Sequence, residues 1–331
     1  KIAPQGAAGS SEPGNVLVTL AEAAAGDAAS AGDRLPLWLS RAANPQILVP
    51  AGSYRVAAEL GHTQIAKTIT AAAGTTQMVE LLPGAGRLEL VVQAAAQGPP
   101  AERVLVVVAV DDPNAPGGRR EVARSAAPRP AFHLPTGTYY VQARSGTAEV
   151  RDRIAVSAGD TVRRSLVLPA ARLTMAVVVN GRAADADRDI TIEVARVATP
   201  PERVARSGAG AAELILAEGK YSVSATLGAH NVRAVSEIAL AAGEKRDLAL
   251  RLESGTIRLQ HRGAARRAAA DALCEVRDGR GVVVWRTVEP DPRADLAPGQ
   301  YHVRCGPDSA PIERTITLAA GEQRVVEIGR E

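Results

Sequence analysis

Two cysteines, Cys274 and Cys305, are the residues best suited to covalent chemistry, and they lie 31 residues apart (305−274). Cys305 follows Tyr301 and Val303 at every second position, and Cys274 precedes Val276 in the same way, so each lies on the apolar side of a predicted strand. Both are expected to face one small core, as a disulfide or as two inert buried thiols. In an oxidising compartment the disulfide would stabilise the fold by about 2–4 kcal/mol. No Cys-x-x-Cys pair or metal-spaced histidine supports a metal or redox role.

The other polar residues form no recognisable catalytic arrangement. The histidines are dispersed and lack zinc-site spacing: His62, His133, His230, His261 and His302. No Gly-x-Ser-x-Gly elbow or phosphate-binding loop occurs. Acidic clusters at residues 111–114 and 185–189 could supply oxygen ligands to calcium, but each also fits an ordinary polar turn, which is the interpretation we adopt. The sequence therefore predicts no enzyme, no cofactor and no metal site.

Charge and hydrophobicity argue against nucleic-acid binding and against a membrane span. Lys and Arg number 39 against 36 Asp and Glu, which gives a net charge of +3 with both signs interspersed. The dense basic run at residues 262–267 contains alanine rather than stacking aromatics, so it predicts a solvated loop and not a nucleic-acid site. The longest apolar stretch, 104–110, is far shorter than the roughly 18 residues of a membrane span. The opening residues lack a signal peptide's apolar segment, so a mature chain, a fragment and a cytoplasmic protein all stay open.

A motif with the pattern apolar-x-x-Gly-x-Tyr-x-Val occurs four times and organises the chain. Its tyrosines are Tyr54, Tyr139, Tyr221 and Tyr301, spaced by 85, 82 and 80 residues (139−54, 221−139, 301−221). An Ala-Gly pair follows each tyrosine by 20, 20, 22 and 20 residues, counted to Gly74, Gly159, Gly243 and Gly321. Four of the chain's five tyrosines occupy this one repeat position. These residues are therefore expected to be structural anchors of four copies of one unit.

Apolar and polar residues alternate within each copy, which is typical of strands with one buried face. Glycine-containing turns separate these strands at intervals typical of an antiparallel sandwich. With one Phe and two Trp in the chain, several small aliphatic cores fit better than one large core. The repeat phase predicts β-sandwich domains at residues 1–84, 85–169, 170–253 and 254–331, and it leaves open whether the first is incomplete and lacks a strand.

The four motif copies, each followed by an Ala-Gly turn and a closing aliphatic strand, resemble carboxypeptidase-regulatory-like domains. These are prealbumin-like (transthyretin-like) sandwiches, similar in outline to the B-type repeats of surface adhesins. The resemblance covers the second half of each copy. It implies an all-β chain of four tandem Ig-like/prealbumin-like antiparallel β-sandwich domains. It also implies a role as stalk, spacer, adhesion unit or accessory domain.

Lysine usage departs from the adhesin repeats, which often carry a crosslink between Lys and Asn or Asp. Residues 85–169 and 254–331 contain no lysine, so the second and fourth copies cannot form one. Lys67, Lys220 and Lys245 leave the crosslink open in the first and third copies, where we do not expect it.

The repeated tyrosines admit two interpretations. They could form a ladder of binding residues along a rod, or each could close a strand edge by bonding to the backbone, as in a tyrosine corner. We adopt the second. Trp38 and Trp285 each precede their tyrosine by 16 residues (54−38, 301−285), which marks one core position of the first and fourth copies.

The sequence leads to three functional hypotheses. The first is a non-enzymatic structural or adhesion protein of the bacterial envelope, a stalk or filament-like array at a periplasmic or extracellular (cell-surface) location. The second is a carbohydrate- or peptide-binding module, with a cell-surface glycan as ligand. The third is the accessory tail of a larger enzyme or of a von Willebrand A-type protein. Protein partners or self-association through strand edges are expected in the first case.

Overall fold

The computed structural model describes residues 16–23, 35–42, 44–82, 84–184, 189–261, 273–289, 291–306 and 311–328. Within these ranges the chain is all-β, with a single 3₁₀ turn at Pro116–Gly118 and no α-helix. The fold is a tandem series of β-sandwiches built from small, mostly antiparallel sheets. It divides into two compact units, residues 1–170 and 171–331. The basic run at 262–267 lies outside the described residues.

The first copy has one sheet in the described residues, with the strand order β2-β1-β3-β4. Its strands are β1 (Val16–Glu22), β2 (Trp38–Ser40), β3 (Gly52–Leu60) and β4 (Thr63–Ala71). The inward residues Tyr54, Val56, Ala58 and Leu60 are at most 9% exposed, as their alternation predicts. They pack with Val16, Val18 and Leu20 of β1 and with Leu81, which lies beyond the last strand of the sheet.

The second copy is a complete seven-stranded sandwich. A four-stranded sheet, β10-β9-β6-β7, faces a three-stranded sheet, β11-β5-β8. The strands are β5 (Ala85–Gln93), β6 (Leu105–Asp111), β7 (Arg119–Ser125), β8 (Ala131–Pro135), β9 (Gly137–Ser145), β10 (Ala148–Val156) and β11 (Thr161–Val167). Leu88, Leu90 and Val92 of β5 are at most 1% exposed, because the central strand of the smaller sheet covers the core.

The third and fourth copies repeat this arrangement. The third has β12 (Ala170–Val179), β13 (Arg182–Ala183), β14 (Ile190–Arg196), β15 (Glu202–Ser207), β16 (Ala211–Ala217), β17 (Gly219–Leu227), β18 (Val232–Leu240) and β19 (Lys245–Leu252). The fourth has β20 (Gly255–His261), β21 (Cys274–Asp278), β22 (Val283–Thr287), β23 (Arg293–Leu296), β24 (Gly299–Cys305), β25 (Ile312–Leu318) and β26 (Gln323–Ile328). One sheet of each has the order β15-β14-β17-β18 or β22-β21-β24-β25. The other has three strands in the fourth copy (β23-β20-β26) but four in the third, where the short β13 joins β12, β16 and β19.

One pairing in each complete copy is parallel, which the sequence pattern did not indicate. The last strand lies beside the first and runs in the same direction: β11 with β5, β19 with β12, and β26 with β20. A parallel pair needs a long crossover connection, and here the whole intervening copy supplies it. Side-chain alternation reports which face of a strand is buried, not the direction of its neighbour, so the pairing was invisible in the sequence.

The Ala-Gly pairs form the turn before each closing segment. The residue after the glycine donates its N–H to the carbonyl three residues earlier in all four copies, at 3.1–3.3 Å. The turn glycines have φ of +73° (Gly74), +80° (Gly159), +79° (Gly243) and +75° (Gly321). Positive φ at the third turn position is the geometry that favours glycine. In the last two copies the following Glu244 and Glu322 also accept the N–H of Ala241 and Ala319, which holds the pKa of both carboxyls below the usual range.

Replacing Gly321 by alanine tests this turn. No atom would meet the new methyl group within 4 Å, so the effect isolates the backbone conformation. We expect Gly321→Ala to lower the free energy of unfolding by about 1–2 kcal/mol, the strain of an L-residue at positive φ. Urea unfolding measures it. Gly208→Ala is the matched control, since that glycine is equally open and lacks positive φ; equal stability losses in the two variants would refute the interpretation.

No helix in the described ranges has the length and apolar character needed to cross a membrane.

Candidate functional site

The four motif tyrosines have the same geometry. Each hydroxyl donates a hydrogen bond to the carbonyl four residues earlier: Tyr54 to Pro50 (2.9 Å), Tyr139 to Pro135 (2.7 Å), Tyr221 to Ala217 (2.8 Å) and Tyr301 to Ala297 (2.6 Å). The rings are 1–5% exposed, so little of any ring could contact a ligand. Each hydroxyl thus ties the turn before its strand to the strand itself.

Burial also affects two of these hydroxyls electrostatically. It raises the pKa of Tyr139 above the ordinary tyrosine value. It does the same for Tyr301, where the hydrogen bond from Asn231 lowers the pKa and the negative charge of Asp278 raises it further. The folded protein therefore retains these two protons more tightly than the unfolded chain does.

This difference predicts a loss of stability in alkali. A pKa raised by folding contributes stability that is complete below the unfolded value of about 10 and is lost as the pH rises through the folded value. We expect the free energy of unfolding to fall with pH above about 10, and to fall less steeply in a Tyr139→Phe/Tyr301→Phe variant. Urea unfolding at stepped alkaline pH measures both slopes. Parallel curves for the variant and the parent protein would rule out these tyrosines as the source.

Cys274 and Cys305 form a disulfide between adjacent strands of the larger sheet of the fourth copy, with Cα atoms 4.1 Å apart. They are direct partners in the β21–β24 ladder, and both are 1% exposed. The bond lies in the core that contains Trp285 and Tyr301. The sequence left open a disulfide or two buried thiols, and the structure contains the disulfide.

The third and fourth copies meet at a joint made by two asparagine side chains. Asn231, at the tip of the β17–β18 hairpin, donates from Nδ2 to the Tyr301 hydroxyl (2.9 Å) and accepts the Ala297 N–H on Oδ1 (3.0 Å). Asn180 donates from Nδ2 to the Ser254 carbonyl (2.8 Å) and accepts the Ser254 N–H on Oδ1 (3.0 Å). Four hydrogen bonds thus fix the fourth copy to the third without a linker.

An aromatic contact adds to the same joint. The His230 ring, beside Asn231 on the hairpin tip, meets the Trp285 ring edge-on, with centroids 5.8 Å apart. On the fourth copy, the surface that the hairpin tip contacts is therefore formed by the edge strand β22 and by the segment around β23 and Tyr301. The repeat motif did not reveal this joint, because neither His230 nor Asn231 is part of it.

The first and second copies meet through the equivalent hairpin, β3–β4. His62 donates its N–H to the His133 carbonyl of β8 (3.1 Å), and Gly61 packs so closely that an added Cβ would lie 2.9 Å from that of His133. Beside this contact lies a polar cleft of about 370 Å³. It is lined by Glu59, Gly61, His62, Thr63, Gln64, Arg120, Glu121 and Val122. The buried Thr63 hydroxyl has no hydrogen-bond partner in the described part of the chain.

The carboxylates of the first acidic cluster, residues 111–114, bind hydrogen-bond donors of the protein itself. Asp111 accepts the Tyr140 hydroxyl (3.0 Å), while Asp112 accepts the Asn114 N–H (3.0 Å) and pairs with Arg120 (3.3 Å). These contacts make the cluster a turn tied to its neighbouring strands. Among the described residues, no group of three or more His, Cys, Asp or Glu side chains could hold a metal ion. In the second cluster, residues 185–188 lie outside the described ranges. The side chains of Lys67, Lys220 and Lys245 are exposed.

No family model matches the chain, and no curated protein matches it. Among solved structures it is similar to a streptococcal ancillary pilin, at 13% identity and a TM-score of 0.30 over 73% of this chain and 98% of that one. It is also similar to a putative polysaccharide-binding protein of Bacteroides thetaiotaomicron, at 9% identity and a TM-score of 0.31 over 47% of this chain and 90% of that one. Its similarity to the Bacillus anthracis TIE protein covers 94% of this chain and 67% of that one, at 13% identity and a TM-score of 0.23. These low values carry no argument about function.

Proposed function

We propose that this chain is a non-enzymatic structural and adhesion protein of the bacterial envelope, a stalk-like array of β-sandwich domains divided at residues 84, 169 and 253. The joint between the third and fourth copies is the observation that carries the proposal. Two hydrogen bonds from Asn231 on the β17–β18 hairpin tip, two from Asn180 after β12, and a ring contact hold the adjacent copies in one arrangement, as a semi-rigid spacer requires. Flexible Gly/Ser-rich linkers would instead let neighbouring domains reorient.

The positions of the repeated tyrosines and of the two cysteines support a scaffold function. The repeated tyrosines bond to their own turns, and the cysteines crosslink a core. A disulfide persists in oxidising compartments, which favours a periplasmic or extracellular location. The pairing of a four-stranded with a three-stranded sheet in the second and fourth copies favours the prealbumin-like topology of carboxypeptidase-regulatory-like domains.

Small-angle scattering of the full chain at low concentration tests the stalk. A compact globule of 331 residues would have a radius of gyration of about 20 Å. We expect a value well above that, with a distance distribution skewed to long distances. A radius near that of the globule would refute the stalk.

The cleft between the first two copies favours a second candidate, binding of a saccharide or polar peptide. Its lining includes Glu59, His62, Gln64 and Arg120, and carboxylate, imidazole, amide and guanidinium groups are types that orient polar ligands. Glycan-array binding that is lost in a Gln64→Ala/Glu59→Ala variant would support this function. Array binding that survives the double substitution would place the ligand elsewhere, and no binding at all would exclude a saccharide of the array.

A further inference from the structure

Tyr140 is the fifth tyrosine of the chain, outside the repeat position, and it lies on the outer face of the second copy. Its neighbour Tyr139 is buried in the core, so strand alternation places the Tyr140 ring on the opposite face of the β10-β9-β6-β7 sheet. The ring is half-buried, and its hydroxyl donates to Asp111 Oδ2 at 3.0 Å. Its cross-strand partner on β6 is Ala109, whose single methyl group leaves room for longer side chains over the ring.

Two guanidinium groups contact this ring. The Arg119 Cζ atom lies over it, 3.8 Å from the ring centroid, and the Arg153 Cζ atom lies 5.3 Å from the same centroid. Arg153 is the direct cross-strand partner of Tyr140 on β10, whereas Arg119 reaches the ring from the first residue of β7. An arginine stacks on an aromatic face through its planar guanidinium. The ring therefore holds two positive charges in place on one outer face.

The same two guanidinium groups lack the carboxylate partner that other arginines of this sheet have. Those other arginines pair with glutamates: Arg124 with Glu121, and Arg144 and Arg151 with Glu149. Within the described residues no ion pair involves Arg119 or Arg153, and both side chains are exposed. Asp111 lies opposite Arg119 in the ladder but accepts the Tyr140 hydroxyl instead. The cluster thus has a net charge of +1 (two arginines, one aspartate).

The chemistry of the cluster fits an oxyanion. A guanidinium that stacks by its face keeps the N–H donors at its edge free, in the fork geometry that binds carboxylate and similar groups with two hydrogen bonds. The whole chain has a net charge of only +3 over 331 residues, so it attracts a polyanion weakly in general. Binding of an anionic polymer would therefore depend on this local pair of charges.

We propose that the cluster of Arg119, Tyr140 and Arg153 binds an acidic polysaccharide through carboxylate or sulfate groups on its sugar rings. Its position favours a polysaccharide over a peptide. Tyr140 lies on β9, an interior strand whose backbone groups already bond to β6 and β10. An extended peptide gains affinity by main-chain pairing at a sheet edge, which an interior strand does not offer. A sugar chain needs no such pairing. The proposal rests on the adhesion part of the proposed function and names its ligand class.

Isothermal titration calorimetry of the full chain tests the cluster, with polygalacturonate as the carboxylated probe, dextran sulfate as the sulfated probe and neutral dextran as the blank. We expect at least one acidic polymer to bind and dextran not to bind; the tighter polymer identifies the anionic group. Arg119→Gln and Arg153→Gln each remove charge-assisted hydrogen bonds, so each should weaken binding by about tenfold or more.

The matched control is Arg129→Gln. It removes the same charge from an exposed arginine of the second copy, in the connection after β7, beyond the end of that strand opposite to Arg119. This variant should bind like the parent protein. Tyr140→Ala removes the ring without changing the charge at neutral pH, and it should weaken binding by roughly threefold or more, because the ring positions both guanidinium groups. Circular dichroism of each variant checks that the fold is kept.

Four outcomes would overturn the proposal: no binding of either acidic polymer, equal weakening by Arg129→Gln, unchanged binding by Tyr140→Ala, or equally tight binding of poly-glutamate, which would make the ligand an acidic peptide. Its failure is distinguishable from the failure of the scaffold function. A chain that binds neither polymer and has a large radius of gyration would remain a stalk without this adhesion site. A compact globule would refute the stalk whatever polymer it binds.

Discussion

Reducing the Cys274–Cys305 disulfide is expected to lower the free energy of unfolding of the fourth copy by about 3.5 kcal/mol, the chain entropy that a crosslink across 31 residues removes from the unfolded state. This is a large share of the stability of a small domain. Urea unfolding with and without reductant measures the change. Trp285 fluorescence in a Trp38→Phe background reports on the core that contains the disulfide.

A variant without the crosslink provides the control. Cys274→Ala/Cys305→Ala should unfold at the same urea concentration with and without reductant, because no other cysteine is present in the chain. Its stability should fall to or below that of the reduced parent protein, since two buried side chains are also shortened. An unchanged unfolding midpoint of the parent protein in reductant would contradict the prediction.

The second large effect is expected at the joint between the third and fourth copies. Asn180→Gly/Asn231→Ala removes four hydrogen bonds, two of them to the backbone of Ser254, which is 3% exposed. At about 1 kcal/mol for each hydrogen bond, the loss is about 3–4 kcal/mol. Glycine is chosen at position 180 because Asn180 has φ of +50°, so alanine would add backbone strain.

Scanning calorimetry and native-state hydrogen exchange measure this effect. We expect the joint variant to unfold residues 171–331 in two separate steps, and the amides of Ser254 and Ala297 to exchange faster. Asn114→Ala, at an exposed turn position, is the control and should leave the calorimetric trace unchanged. A single unshifted transition in the joint variant would show that the asparagines do not couple the two copies.

Much of the local structure could be predicted because it depends on neighbours in sequence. The alternation around Tyr54 and Tyr221 indicated strands with one buried face, and the described strands have that face buried. The positions of Cys274 and Cys305 on the apolar side of their strands indicated a shared core, which is where the disulfide lies. The presence of a strand and the face that it buries both follow from a period of two, so a single sequence is enough to predict them.

The contacts between copies could not be predicted in this way. Asn180 and Asn231 contact residues 74 and 66–70 positions away, and nothing in their local sequence marks them. Asparagine at a hairpin tip is ordinary turn chemistry, so its second function as a clamp on the next copy has no separate signal. The high exposure of Leu35 and Leu48 in the first copy is likewise not indicated by a strand pattern.

The parallel pairing of first and last strands has a mechanical consequence. In the fourth copy β20 and β26 run side by side over six paired positions, from Thr256 and Gln323 to His261 and Ile328. Tension that enters at the start of β20 and leaves at the end of β26 acts on opposite ends of this ladder. The inter-strand bonds are then sheared together rather than peeled apart one at a time, so the copy resists extension until the whole ladder yields.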